Sequence, residues 1–179
     1  MYSRDFLSRL LACERRVYRL YQRLRARADT SAPMRALWHA LAEDERRHLV
    51  ILQRSMGLVT LQDEPVEVAE SVFQQIETTI TAAEAAAEKS QLSGDEALQH
   101  AVHLEGSELN NLDETWLRSF PMDVRFVLRG LMPEEDLHIR RLVEAVHECS
   151  VDKALQEQAT NLWLQQQRRA KNAMLRDEQ

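Results

Sequence analysis

The sequence predicts an all-α protein in which long amphipathic helices gather into one bundle, with further helical segments outside a minimal set of four. Three observations carry that expectation. Only 4 glycines and 4 prolines occur in 179 residues, and the abundant Ala, Leu, Glu, Gln and Arg are strong helix formers. Apolar residues recur at helical spacing, with no strand-type alternation. The pattern Glu-x-x-His occurs twice, as Glu45-Arg-Arg-His48 and Glu135-Asp-Leu-His138, and residues three apart share one face of a helix.

The elements follow in order. A first helix is expected over about Arg4–Ala28, closed by Thr30-Ser31-Ala32-Pro33. Ser31 suits an N-cap and Pro33 a first turn, where its missing N–H is not needed. The second helix carries Leu37, Leu41, Glu45, His48 and Leu52 and ends near Met56-Gly57, and Leu58 to Glu64 reads as a linker. From Val66 to Ser90 the stripe Val72, Phe73, Ile76, Ile80, Ala83 and Ala87 describes an additional helix with no ligand-type residue on its apolar face.

Ser93-Gly94-Asp95 opens a helix expected to reach about Phe120, with Leu98, Ala101, Val102, Leu109, Leu112 and Trp116 inward. A short helix from Asp123 leads to Gly130-Leu-Met-Pro133, where the proline makes the chain kink or restart. Ser150-Val-Asp caps a last helix to about Leu175, with the stripe Val151, Leu155, Leu162 and Trp163. The length suits one core rather than two. Residues 1–149 are read as the bundle and 150–179 as a helical extension of the same domain.

Composition excludes several function classes. The net charge of −6 gives the whole molecule no electrostatic pull toward nucleic acid or an anionic membrane. No apolar run approaches bilayer length, and Met-Tyr-Ser-Arg-Asp does not open a signal peptide, so a cytoplasmic protein is expected. Cys13 and Cys149 are isolated, which excludes a zinc ribbon or rubredoxin-type iron site in these residues.

The chemistry lies in matched carboxylates. Glu14 precedes Glu45 by 31 positions and Glu105 precedes Glu135 by 30, as in two helical hairpins about a pseudo-two-fold axis. Glu14 is in register with Leu7, Leu10, Leu11, Val17, Tyr18 and Tyr21. Glu105 lies between Val102 and Leu109, with Glu108 one turn on, and Glu135 and His138 sit among Leu131, Leu142 and Val146. Burying a lone carboxylate costs several kcal/mol, so four or five on core faces require cations. Five glutamates, about −5, balance two ferric ions with one hydroxide, about +5. Hard oxygen donors with two imidazoles suit two iron ions, or manganese. Glu43, Asp44, Glu134 and Asp136 are expected to be solvated neighbours, His100 and His103 exposed or outside the ligand set, and Tyr18, Tyr21 and Cys13 core packing.

On these residues the chain resembles the rubrerythrin branch of the ferritin-like superfamily over about residues 5 to 147. Leu-Ala-Glu-Asp-Glu45-Arg-Arg-His48 is similar to that branch's second helix, Glu135-Asp-Leu-His138 to its fourth, and Glu105-Gly-Ser-Glu108 to its third. The resemblance implies a ferritin-like four-helix bundle with metal ligands Glu14, Glu45, His48, Glu105, Glu108, Glu135 and His138. Glu108 would be the additional, catalytically exchanging ligand. It implies a non-haem di-iron oxidoreductase acting on hydrogen peroxide or dioxygen, either reducing peroxide or oxidising ferrous iron. With no rubredoxin-type cysteines here, a separate electron-donor protein is expected. A homodimer is expected from the apolar faces of the additional and last helices. The alternative is a metal-binding carrier or interaction module whose dinuclear site is structural.

Overall fold

The structure is a computed structural model and describes residues 1–27, 29–59, 65–66, 70–111 and 116–177. The described residues form helices α1 (Ser3–Ala26), α2 (Ala32–Leu58), α3 (Glu70–Ala87) and α4 (Gly94–Asn111). A 3-10 turn (Trp116–Ser119) and helices α5 (Met122–Leu128), α6 (Leu131–Cys149) and α7 (Lys153–Asp177) follow. The one extended pairing among them is the isolated bridge of Tyr2 with Pro65. None of the helices is long and apolar enough to cross a membrane.

Local chemistry sets the boundaries. The Ser31 hydroxyl accepts from the Met34 amide at 3.4 Å, with Pro33 in the first turn of α2. At α4, Ser93 Oγ accepts from the Glu96 amide at 3.2 Å while Glu96 Oε2 accepts from the Ser93 amide at 2.9 Å, so two orphan donors are satisfied reciprocally. Asp152 Oδ1 caps α7 through the Ala154 amide at 2.8 Å. The chain restarts at Leu131, so Pro133 falls in the first turn of α6, where it removes no helical bond.

The short connection between α1 and α2 makes them an antiparallel pair. Helix α2 also packs on α5 and α6, and α4 on α3, α6 and α7. Helix α3 lies against both α1 and α4. Its direction follows from a ladder of ion pairs: Arg9 with Glu70 and Glu77, Arg16 with Glu84, Arg23 with Glu88. Both sequences climb together, so α1 and α3 run parallel. Such half-exposed pairs contribute little individually; they fix register, and apolar burial supplies the energy. Phe73, Ile76 and Ile80 are fully buried, and Phe73 meets Phe6 edge-to-face with centroids 5.4 Å apart.

Two expectations are corrected. Trp116 belongs to a separate 3-10 turn rather than to the α4 stripe, and Leu112 lies outside the described residues. Val151 is 88% exposed because it precedes α7, whose buried row is Leu155, Ala159, Leu162 and Gln166. The apolar faces of α3 and α7 pack within the chain, on α1 and α4 and on α4 and α6 respectively.

Ile80→Ala should cost about 2–5 kcal/mol in urea unfolding because α3 is part of the core. The same truncation at Phe126, 80% exposed, should stay within about 0.5 kcal/mol.

Candidate metal centre

Five ionisable side chains meet at the centre of the molecule. Glu14 projects from the buried row of α1, Glu45 and His48 from α2, Glu105 from α4 and His138 from α6, and each is at most 6% exposed. Their donor atoms form two groups, Glu14 with Glu45 and His48, and Glu45 with Glu105 and His138; within each group the atoms lie within 4.8 Å of one another. His48 Nδ1 is 3.5 Å from Glu14 Oε2 and 3.4 Å from Glu45 Oε2. His138 Nε2 is 3.6 Å from Glu45 Oε1 and 3.0 Å from Glu105 Oε1. Glu45 therefore turns one oxygen to each group, and the imidazole centroids stand 5.8 Å apart. The i, i+3 spacing read in the sequence aligns Glu45 with His48.

The remaining expected ligands stand differently. Glu135 is at the rim, its side chain 22% exposed and its Oε2 3.8 Å from His48 Nε2. Glu108 lies on α4 one turn beyond Glu105, and its side chain is outside the described residues. His103 is exposed and His100 half-buried; both line an open groove between α3, α4 and α7, away from the donor groups.

Asp44 corrects the sequence reading most sharply. It is fully buried, takes hydrogen bonds from Arg47 and from Arg141 Nη1 at 2.5 and 2.6 Å, and brings Oδ2 to 3.6 Å from His138 Nδ1. Two guanidinium groups pull this carboxylate between α2 and α6. The available signal was Arg47, three residues after Asp44, together with Arg141, three after His138. At the equivalent position before Glu135, Glu134 instead accepts from Arg47 Nε at 2.5 Å, so the pseudo-two-fold symmetry stops at the ligands. Asp136 is held by buried Gln166 of α7 through a 2.6 Å hydrogen bond. Tyr21 is core packing as expected, stacked on Trp38 with centroids 5.8 Å apart, but its hydroxyl also donates to Glu105 Oε1.

Electrostatics explains what the cluster requires. Burial, reinforced by the Glu14 charge, pushes the Glu45 carboxyl well above its ordinary range. Glu14 goes the other way, to about 2, because the neighbouring Glu45 and His48 outweigh the burial that opposes its charge. Burial opposes the charged form of His48, yet the Glu45 and Glu14 carboxylates raise its pKa. His138 is raised against the same opposition by Glu105, and burial raises Glu135. Without metal, protons supply the compensating charge.

That compensation leaves donors unused. Glu14 Oε2, His48 Nε2 and both ring nitrogens of His138 are buried with no hydrogen-bond partner among the described residues. Buried polar atoms are nearly always bonded, so four such atoms in one place mark where something else binds. Carboxylate oxygens with two imidazoles and no thiolate fit first-row divalent metals such as iron or manganese.

Two outcomes follow. His48, His138, Glu45 and Glu135 all have raised pKa values in the fold, so their contribution to stability is full below their unfolded values and is lost as pH rises through the folded ones. The metal-free Tm should therefore begin to fall as pH rises above about 4.5, through the glutamates, and fall further above about 6.5, through the histidines, measured by calorimetry in chelator, and metal affinity should rise over the same range as protons are displaced. Asp44→Asn should lower metal affinity severalfold by removing the negative charge that faces His138 Nδ1 from 3.6 Å, measured by competitive chelation.

Comparison of the chain with family models, with curated proteins and with solved structures gives no match, so the functional reading rests on the geometry above.

Proposed function

We propose that the chain is a ferritin-like helical bundle holding a dinuclear non-haem iron site that reduces hydrogen peroxide or oxidises ferrous iron. The observation that carries this reading is Glu45, which offers one oxygen to each of two buried donor groups. A carboxylate in that position suits two metals side by side, as in carboxylate-bridged sites inside helical bundles. Glu14 and His48 would hold one metal, Glu105 and His138 the other, and Glu45 both.

Bound iron would supply the electrons, two for each peroxide taken to two waters. The surrounding residues do the rest. Tyr21 holds Glu105 by its hydroxyl, so that ligand is oriented from behind, and Asp44, fixed between two arginines, lies 3.6 Å from the His138 ring. Glu135, at the partly open rim, lies beside His48, and burial raises its carboxyl pKa, which would suit it to proton transfer at that rim. Glu108 remains the proposed exchanging ligand, from its register one turn along α4.

The test is anaerobic loading of the purified protein with ferrous iron, metal counting, and peroxide addition followed by absorption. Two irons per chain with rapid peroxide-dependent oxidation is the expected result. Two metals without peroxide turnover would identify a carrier or structural site instead, and the absence of stoichiometric binding would overturn the metal reading. Single substitutions separate the halves: Glu45→Ala should lose both metals, whereas Glu14→Ala should retain about one per chain.

A further inference from the structure

The groove between α3, α4 and α7 stands apart from the donor cluster. Helix α4 is its floor, and α3 and α7, each packed on α4, are its walls. Neither wall helix supplies a donor to the cluster, so the groove is an addition to the metal centre rather than a part of it. Its volume is about 600 Å³, inside the range of about 300–1,000 Å³ that holds small organic ligands.

Its chemistry is unlike that of the surrounding surface. In a chain whose residues are 29% charged, none of the thirteen described residues that line the groove is Asp, Glu, Lys or Arg, and none is Phe, Tyr or Trp. Neutral groups that both donate and accept hydrogen bonds take their place. Gln75 on α3, His100 and His103 on α4, and Gln158, Asn161 and Gln165 on α7 line it. None of these side chains makes a hydrogen bond among the described residues. Helical spacing collects them, since positions 100 and 103 share one side of α4, as 158, 161 and 165 share one side of α7. Deeper in, Thr79 donates to Ser107 at 3.4 Å, and Val102 and Leu162 are buried apolar floor. Burial and the nearby His103 lower the His100 pKa, so that ring is uncharged at neutral pH.

Gly106 is the second feature. It sits in the interior of α4, where glycine destabilises a helix relative to alanine, and its φ is not positive. A β-carbon there would meet only Leu162 Cδ1, at 3.8 Å, an ordinary van der Waals contact. Neither backbone conformation nor packing within the chain therefore calls for glycine. Its effect is to leave the helix backbone bare at the floor of the groove, and a bare backbone lets a ligand come close.

We infer that this groove binds a neutral polyhydroxylated ligand of about disaccharide size, seated on Gly106 between the amides of α3 and α7. A charged ligand would give up its hydration and find no opposite charge. A flat heterocycle would find no ring to stack on. A sugar hydroxyl both donates and accepts, as the Gln and Asn amides and the neutral imidazoles do, and its C–H faces rest on Val102 and Leu162. The site is separate from the metal centre and stands whether or not iron binds there.

The experiment titrates trehalose, maltose and sucrose into the isotope-labelled full chain and follows its backbone amide resonances. The expected result is saturable shifts within 75–82, 100–107 and 158–165 for at least one of the three sugars. The dissociation constant should be on the order of 1 mM, and it should change less than about twofold between about 50 and 500 mM salt, because no ion pair is involved. Gly106→Ala should weaken this binding about fivefold or more while its Tm stays level or rises, because the methyl group takes the ligand's seat yet favours the helix. His103→Ala/Gln165→Ala, which alters exposed side chains only, should also weaken it about fivefold or more, and it keeps the test sound if Gly106→Ala disturbs α4. The inference is overturned if none of the three sugars gives saturable shifts up to about 50 mM, or if either variant binds as the parent does. Tighter binding of glucose 6-phosphate or adenosine than of the neutral sugars overturns it as well.

Discussion

Three glutamates and two histidines share the centre of this bundle with almost no access to water, and the need to balance their charge governs the structure around them. A buried carboxylate alone would neutralise or drive the helices apart. Here burial raises the Glu45 carboxyl, its neighbours lower Glu14, and the surrounding carboxylates raise both imidazoles against their burial, so the charges of the cluster lean on one another. It nevertheless leaves four buried donor atoms without hydrogen-bond partners among the described residues. Divalent cations would replace the protons and engage those atoms, which ties the fold, the pH response and the proposed chemistry to one constraint.

Around this centre the helices divide the work. Helices α1, α2, α4 and α6 each bring ligand-type side chains inward, while α3 brings none and instead completes the apolar wall between α1 and α4 through Phe73, Ile76 and Ile80. The two halves of the site are unequal. His138 is backed by a buried aspartate between two arginines and Glu105 by a tyrosine hydroxyl. His48 instead faces Glu135 at a partly open rim. A well-supported half and a more accessible half suit a site that must hold its metals and admit a small oxidant.

Charge is organised at a second level, on the surface. The ladder joining α1 to α3 uses arginines spaced by seven, and the neighbouring row on the same helix has no such complement among the described residues. Positive charge thus collects on the hairpin that carries Glu14, Glu45 and His48, while the rest of the chain is acidic. The net value of −6 describes neither face.

The all-helical class, the helix order and the residues of the donor cluster were legible in the sequence because each depends on local physics. Low glycine and proline content, caps such as Ser31, and a three-residue Glu–His spacing act within one or two helical turns. Placing Glu14 and Glu105 on apolar rows was enough to bring them inside. What only the tertiary structure decided depends on groups far apart in the chain. Asp44 reads as a surface acid until Arg141, 97 residues away, pulls it inward. Glu135 occupies a ligand's place in the repeat yet lies at the rim, because helix packing, not spacing, sets how deep each face sits. The apolar stripe of α3 could have served a dimer as well as a core, and periodicity cannot say which partner covers a face. Sequence fixes what each helix offers on each side; the packing of distant helices decides what that side meets.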